Sequence, residues 1–87
     1  MITIHGTMND LVKYVRDRNF PKSAILLLSA KTGLPLGAYA HDGNSKGNVY
    51  SRRDIRSQLK AGRVIRPSHS YGGSDNAFNV LINSVKV

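Results

Sequence analysis

The sequence predicts a single small α+β domain that spans residues 1–87. Two segments carry the apolar spacing of amphipathic helices, and several short apolar or alternating runs are typical of strands. The length is sufficient for one compact core and insufficient for two. In chain order the segments read β-α-β-β-α-β with a closing hairpin, which predicts a ferredoxin-like split β-α-β arrangement with two helices on one antiparallel sheet.

The first helix is predicted from a cap and an apolar stripe. Residues 1–5 alternate apolar and polar side chains, as a short strand does. Thr7 is placed to cap a helix, with Asp10 three positions on as an imperfect capping box. Apolar residues then recur at i, i+3, i+4 and i+7. Because the residue before Pro21 avoids helical dihedrals, we expect the helix to cover 8–19.

A β-hairpin is predicted next. Residues 24–30 form a continuous apolar run of strand length, which is typical of a buried strand. Gly33 lies in a polar turn where it is free to adopt a positive φ, and residues 36–41 return as a second strand. Residues 42–48 are polar and rich in Gly and Asn, and they predict an exposed, mobile loop.

The second helix has clear start and stop signals. Ser51 is a typical N-cap residue, and Asp54 stands at the third helical position, where it completes a capping box. Gly62 is well placed to end the helix by adopting a left-handed conformation. These signals predict a helix at 52–61.

The last quarter of the chain is predicted to be β. Residues 63–66 suit a short strand, and 68–76 suit a long turn. Residues 77–87 are read as the longest strand, because apolar and polar side chains alternate along part of it. An exposed terminal strand would pair readily with a second copy, so a homodimer through strand 77–87 is a further hypothesis.

A winged-helix module is the competing fold. In that alternative, 52–61 would be the recognition helix and 63–85 the wing. It is the weaker hypothesis, because such modules usually place another helix before the recognition helix, and the sequence predicts a β-hairpin there.

Charge is the strongest signal in the composition. Thirteen Lys and Arg face five Asp and no Glu, which gives a formal net charge of +8. Such a field attracts polyanions and speeds their encounter, so the expected partner is nucleic acid or an acidic protein surface. No apolar run approaches the roughly 20 residues that span a membrane, and the N-terminus lacks a signal-peptide pattern. We therefore expect a cytoplasmic protein with no membrane partner.

The chain also lacks the residue types of several common sites. There is no cysteine, which removes thiolate zinc sites and cysteine nucleophiles, and the three histidines have no metal-ligand spacing. No nucleotide-binding loop, serine-hydrolase or zinc-protease motif is present. We expect no metal, no cofactor and no catalytic residue.

The positive charge is concentrated around the second helix. At about 100° per residue, Arg52, Arg56 and Lys60 lie one turn apart on one face. Such a stripe is typical of phosphate contacts, although a solvated helix surface is the ordinary alternative. Tyr50 and Tyr71 lie next to loops and are candidates for base stacking. The candidate binding residues are Lys46, Arg52, Arg53, Arg56, Lys60, Arg63 and Arg66.

Three functions follow from these features. The first is a non-enzymatic binding module that contacts the phosphate backbone of DNA or RNA. The second is a small inhibitor or adaptor, such as phages and mobile elements encode, that binds an acidic surface of a larger protein machine. The third is a metal-independent ribonuclease toxin in which His41, His69 and Tyr71 would supply acid–base chemistry.

Overall fold

The structure is a computed structural model that describes residues 2–41, 47–62 and 77–86. Within these ranges the chain forms three helices and a four-stranded mixed sheet, which confirms the predicted α+β class. In chain order the elements are β1 (Ile2–Gly6), α1 (Met8–Asp17), β2 (Ile25–Ser29), β3 (Pro35–Ala40), β4 (Asn48–Ser51), α2 (Arg52–Lys60) and α3 (Ala77–Lys86).

The sheet has the strand order β1-β2-β3-β4. β1 and β2 are parallel neighbours, and α1 makes the crossover that a parallel pair requires. The β2–β3 and β3–β4 pairs are antiparallel. A split β-α-β unit would leave a strand between its two parallel strands, and here they are in direct contact. The ferredoxin-like arrangement and the fully antiparallel sheet are therefore corrected to a mixed sheet with sequential strand order.

Helices cover both faces of this sheet, so the prediction of two helices on one face is wrong. Alternate residues of β2 belong to different apolar clusters. Ile25 and Leu27 pack in the α1 cluster with Leu11 and Val15. Leu26 packs in the cluster formed by α2 and α3. A strand covered on both faces has no polar side, which explains the uninterrupted apolar run in this part of the sequence.

Where the strand 77–87 is predicted, residues Ala77–Lys86 form helix α3. Its apolar residues satisfy a helical spacing as well as an alternating one, and burial follows the helical spacing. β-branched residues favour a strand in isolation, but packing against the sheet decides the outcome. The homodimer through strand 77–87 loses its basis, and so does a wing at 63–85. The residues of the helical stripe are Phe78, Leu81, Ile82 and Val85.

The other predicted helices and strands differ from the structure mainly at their ends. α1 ends at Asp17, two residues before the predicted end, because Asn19 and Phe20 adopt φ values of 56° and 53°. Strand β4 was not predicted, since only two of its four residues are strong strand formers. Of the predicted loop 42–48, residues 42–46 lie outside the described residues, as do the predicted strand 63–66 and turn 68–76.

Candidate functional site

Helix α2 is positioned at its start by the predicted capping box. The Ser51 Oγ accepts a hydrogen bond from the Asp54 N–H at 3.1 Å, and the Ser51 N–H donates to Asp54 Oδ2 at 3.0 Å. Thr7 and Asp10 form the same box at the start of α1. The capping box thus satisfies the backbone N–H groups of Ser51 and Asp54 and fixes where the helix begins.

Both capping aspartates are more acidic than usual. The hydrogen bond from the Ser51 backbone, aided by the Ser51 hydroxyl and the Arg53 charge, lowers the pKa of Asp54 below its ordinary value of 3.8. The equivalent bonds from Thr7 lower the pKa of Asp10. Two of the five acidic residues of the chain are therefore held by helix caps.

A line of two apolar residues of α2, Ile55 and Leu59, packs on the sheet and fixes the orientation of the other side chains of the helix. Ile55 is fully buried in the cluster with α3, and Leu59 is partly buried against the same cluster. The helix ends at Lys60, and Gly62 takes a φ of 75° just beyond it. The predicted range 52–61, with Gly62 as its stop, is confirmed to within one residue.

The two flanks of α2 differ in charge. Counted from Arg52 at about 100° per residue, Ile55 and Leu59 lie at about 300° and 340°, and the remaining three cations follow between about 40° and 100°. All four cations are therefore on one side of the docked line. We call Arg52, Arg53, Arg56 and Lys60 the basic flank.

The other flank borders an open groove against strand β4. It carries Asp54, Ser57 and Gln58, and the groove is completed by residues 48–50 of the strand. Sequence reasoning did not find this groove, because it depends on the unpredicted strand. Its lining is hydrogen-bonding rather than cationic, so it is chemically distinct from the basic flank.

The cations of the basic flank are available to a ligand. Arg53, Arg56 and Lys60 are exposed. In the described part of the chain, neither Arg56 nor Lys60 forms an ion pair, and Arg53 is a sequence neighbour of the capping Asp54. Like charges at i and i+4 cost about 0.2–0.5 kcal/mol per pair, so the arrangement is mildly unfavourable until an anion is bound.

Arg52 differs from its three neighbours. It is only partly exposed, and its Nε is buried without a hydrogen-bond partner among the described residues. More than about nine-tenths of buried polar groups in proteins are hydrogen-bonded. Leaving a buried donor unpaired costs about 1–3 kcal/mol, and more for a charged group.

The other predicted site residues have varied positions. Tyr50 is half-buried, with its ring centroid 4.5 Å from that of Phe78, so part of its surface is used by the core. His41 is buried at the end of β3 with 7% of its surface exposed. Base stacking by Tyr50 stays a prediction. Outside the described residues lie Lys46, Arg63, Arg66, His69 and Tyr71.

Positive charge also occurs on α1, on the opposite face of the sheet. Lys13 and Arg16 are exposed there, but acidic residues alternate with them, and Lys13 acts on Asp10. The Arg18 guanidinium lies over the Tyr14 ring at 3.5 Å from Cζ to the ring centroid. Lys13 and Arg18 thus have partners on or beside α1, whereas Arg56 and Lys60 form no ion pair among the described residues.

Comparison with known proteins gives no relative for this chain: no protein-family model, no curated protein and no solved structure matches it. Among residues 2–41, 47–62 and 77–86, no group of three or more metal-ligating side chains is close enough to hold an ion. Within the same ranges, every helix is too short or too polar to cross a membrane.

Removing the α2 cap is expected to destabilise the domain. Ser51→Ala deletes the acceptor for the Asp54 N–H and should lower the free energy of unfolding by about 1 kcal/mol. Urea unfolding followed by circular dichroism measures this loss. Ser57→Ala is the matched control, because Ser57 is exposed within the same helix and should change stability by less than about 0.5 kcal/mol. Equal losses in the two variants would contradict the cap.

The capping aspartates should also set the acid sensitivity of the fold. Since their folded pKa values lie below 3.8, their ionised forms stabilise the folded state, fully so above pH 3.8. That stabilisation is lost as the pH falls through the folded pKa values. The double variant Asp10→Asn, Asp54→Asn should therefore lose less stability than the wild type between about pH 5 and pH 2. Urea midpoints measured across this range test it, and identical acid profiles would be inconsistent with it.

Proposed function

We propose that this protein is a non-enzymatic binding module whose basic flank contacts the phosphate backbone of nucleic acid. The observation that carries the proposal is the placement of four cations on one side of a docked, capped helix, three of them exposed. Arg presents a planar fork that matches phosphate oxygens, and Lys supplies a point charge.

The dimensions of the basic flank suit a nucleic-acid strand. Arg52 and Lys60 are eight residues apart, which is about 12 Å along a helix axis. One strand of a duplex carries a phosphate about every 3.4 Å along its axis, so this length corresponds to three or four phosphates. Contacts of this kind fix position and give affinity with little dependence on base sequence.

The mutual repulsion of the cations supports the same function. An ordinary solvated helix gains stability by placing opposite charges at i and i+4, and α2 places like charges there instead. A bound polyanion would turn this unfavourable arrangement into a favourable one. It would also release the counterions condensed on the nucleic acid, which is the main source of sequence-independent affinity.

An acidic protein surface is the second candidate partner, and the groove beside α2 is the observation that favours it. The Asp54 carboxylate would repel a phosphate backbone. A protein partner, in contrast, could form hydrogen bonds to Ser57, Gln58 and the side of β4 that faces the groove. An inhibitor or adaptor would then use the basic flank for steering and the groove for specificity.

The test is a salt titration of binding. Fluorescence anisotropy would measure the affinity of the full chain for a labelled 20-nucleotide DNA, its RNA counterpart and the DNA duplex, between 50 and 300 mM NaCl. We expect affinity to fall linearly on a log–log plot with a slope near −3, because three or four phosphates are neutralised at about 0.7–0.9 per contact.

Two results would overturn the nucleic-acid proposal. One is the absence of binding at 50 mM NaCl, and the other is binding that does not change with salt. Stoichiometric binding of one purified acidic partner in the presence of nuclease, lost on changing groove residues such as Gln58, would favour the inhibitor or adaptor function instead.

A further inference from the structure

We infer that Arg52 is the anchoring phosphate ligand of the basic flank, and that it binds by swinging its guanidinium out of a covered position in which Nε has no partner. Arg53, Arg56 and Lys60 then supply charge rather than a fixed contact. The inference rests on the proposed function, and it deepens it by assigning unequal roles to four residues that look equivalent in the sequence.

The position of Arg52 on the helix explains its partial burial. It lies about 20° from Leu59 and about 60° from Ile55 around the helix axis, so it is the cation nearest to the docked line. Long cationic side chains commonly bury their methylene stem against apolar surface and keep the head near water. The cover over Nε is consistent with such packing, whereas Arg53, Arg56 and Lys60 extend into solvent.

The unpaired Nε makes the covered conformation of the Arg52 side chain energetically unfavourable. Burial removes its water, and no described residue provides an acceptor in exchange. Rotation of the side chain would uncover the Nε–H, which with the neighbouring Nη–H forms the fixed planar fork that binds two oxygens of one phosphate. Because the covered position already carries the free-energy cost of an unpaired donor, leaving it costs little. The bound phosphate then accepts hydrogen bonds from both donors.

The proposed phosphate ligand is a side chain and not the helix N-terminus, where the N–H groups of Ser51 and Asp54 already donate within the capping box. The anion is recognised by the Arg52 side chain, at the end of the basic flank closest to β4. Recognition by a two-donor fork distinguishes Arg52 from a point charge, and this difference can be measured without changing the net charge of the protein.

The decisive experiment compares two charge-conserving variants, Arg52→Lys and Arg56→Lys, in the anisotropy assay with the 20-nucleotide DNA. Arg52→Lys removes the fork and should weaken binding about tenfold, because charge-assisted paired hydrogen bonds are lost. Arg56→Lys keeps an exposed charge and should weaken binding by no more than about twofold. Equal losses in the two variants would overturn the inference.

A stability measurement separates a ligand from a structural arginine. Arg52→Met keeps the apolar stem and removes the unpaired donor, so the Tm of the free protein should be unchanged or higher while binding falls. A lower Tm would show that Arg52 is a structural residue and would overturn the inference. Direct evidence comes from the Nε–Hε cross-peak of Arg52 in a proton–nitrogen NMR spectrum, assigned by its absence in Arg52→Lys. It should shift more than that of Arg56 on addition of the oligonucleotide.

The two proposals fail in different ways. If the wild type shows no salt-dependent binding, the proposed function fails. If the wild type binds with the expected salt dependence, but Arg52→Lys behaves like Arg56→Lys, the basic flank is a diffuse charged surface and only the anchoring role of Arg52 is lost.

Discussion

Replacing Arg52, Arg56 and Lys60 together by alanine is expected to lower the affinity for nucleic acid by a factor on the order of one hundred at 0.15 M salt. Each phosphate contact adds about 0.9 to the slope of log affinity against log salt concentration, so three contacts contribute about two decades between 1 M and 0.15 M salt. The salt slope should become shallower by about 2–3. Anisotropy titrations at four salt concentrations give both quantities.

A matched triple variant controls for total charge. Changing Lys13, Arg16 and Lys22 to alanine removes three charges from exposed positions in α1 and in the segment that follows it. We expect this variant to lose less than about fivefold in affinity, because only the long-range field is weakened. If both triple variants bind equally weakly, the net charge of the chain rather than the basic flank determines binding, and the proposed site is wrong.

Truncating Ile55 is expected to have the largest effect on stability of the changes considered. Ile55→Ala removes a fully buried side chain that joins α2 to the sheet and to α3, and it should lower the free energy of unfolding by about 2–5 kcal/mol. A domain of this size is stable by only about 5–15 kcal/mol, so a measurable fraction of the variant could unfold.

The conservative variant keeps this prediction testable. Ile55→Val should cost about 0.5–1.5 kcal/mol, and urea unfolding can measure it even if Ile55→Ala does not fold. Arg53→Ala serves as the control, because Arg53 is exposed on the same helix and should change stability by less than about 0.5 kcal/mol. A loss below about 0.5 kcal/mol for Ile55→Ala would contradict the docking of α2 described above.

The sequence predicted best those features that local chemistry determines. Both helix caps were predicted to the residue, since Thr7 with Asp10 and Ser51 with Asp54 act within one turn of the chain. The hairpin was predicted from an apolar run and a turn glycine. The basic flank could be predicted for the same reason, because helical spacing alone places its members on one side of α2.

The features that were missed depend on distant contacts. Residues 77–87 contain both a strand-like and a helix-like apolar pattern, and only packing on the sheet selects the helix. Strand β4 is short and acquires its identity by pairing with β3, with Tyr50 opposite Ala38. The contrast between Arg52 and Arg56 was also invisible, because both have the same chemistry and spacing, and only burial separates them.

The two-sided covering of β2 and β3 has a consequence for how the protein opens. Each face of these strands holds its own apolar cluster, one with α1 and one with α2 and α3. We therefore expect the α2–α3 layer and the α1 layer to open as separate units in amide hydrogen exchange. Binding surfaces are commonly drawn from such less protected units. Binding of a ligand to the basic flank should then slow amide hydrogen exchange in α2. The amides of β2 and β3 should exchange slowly even without a ligand.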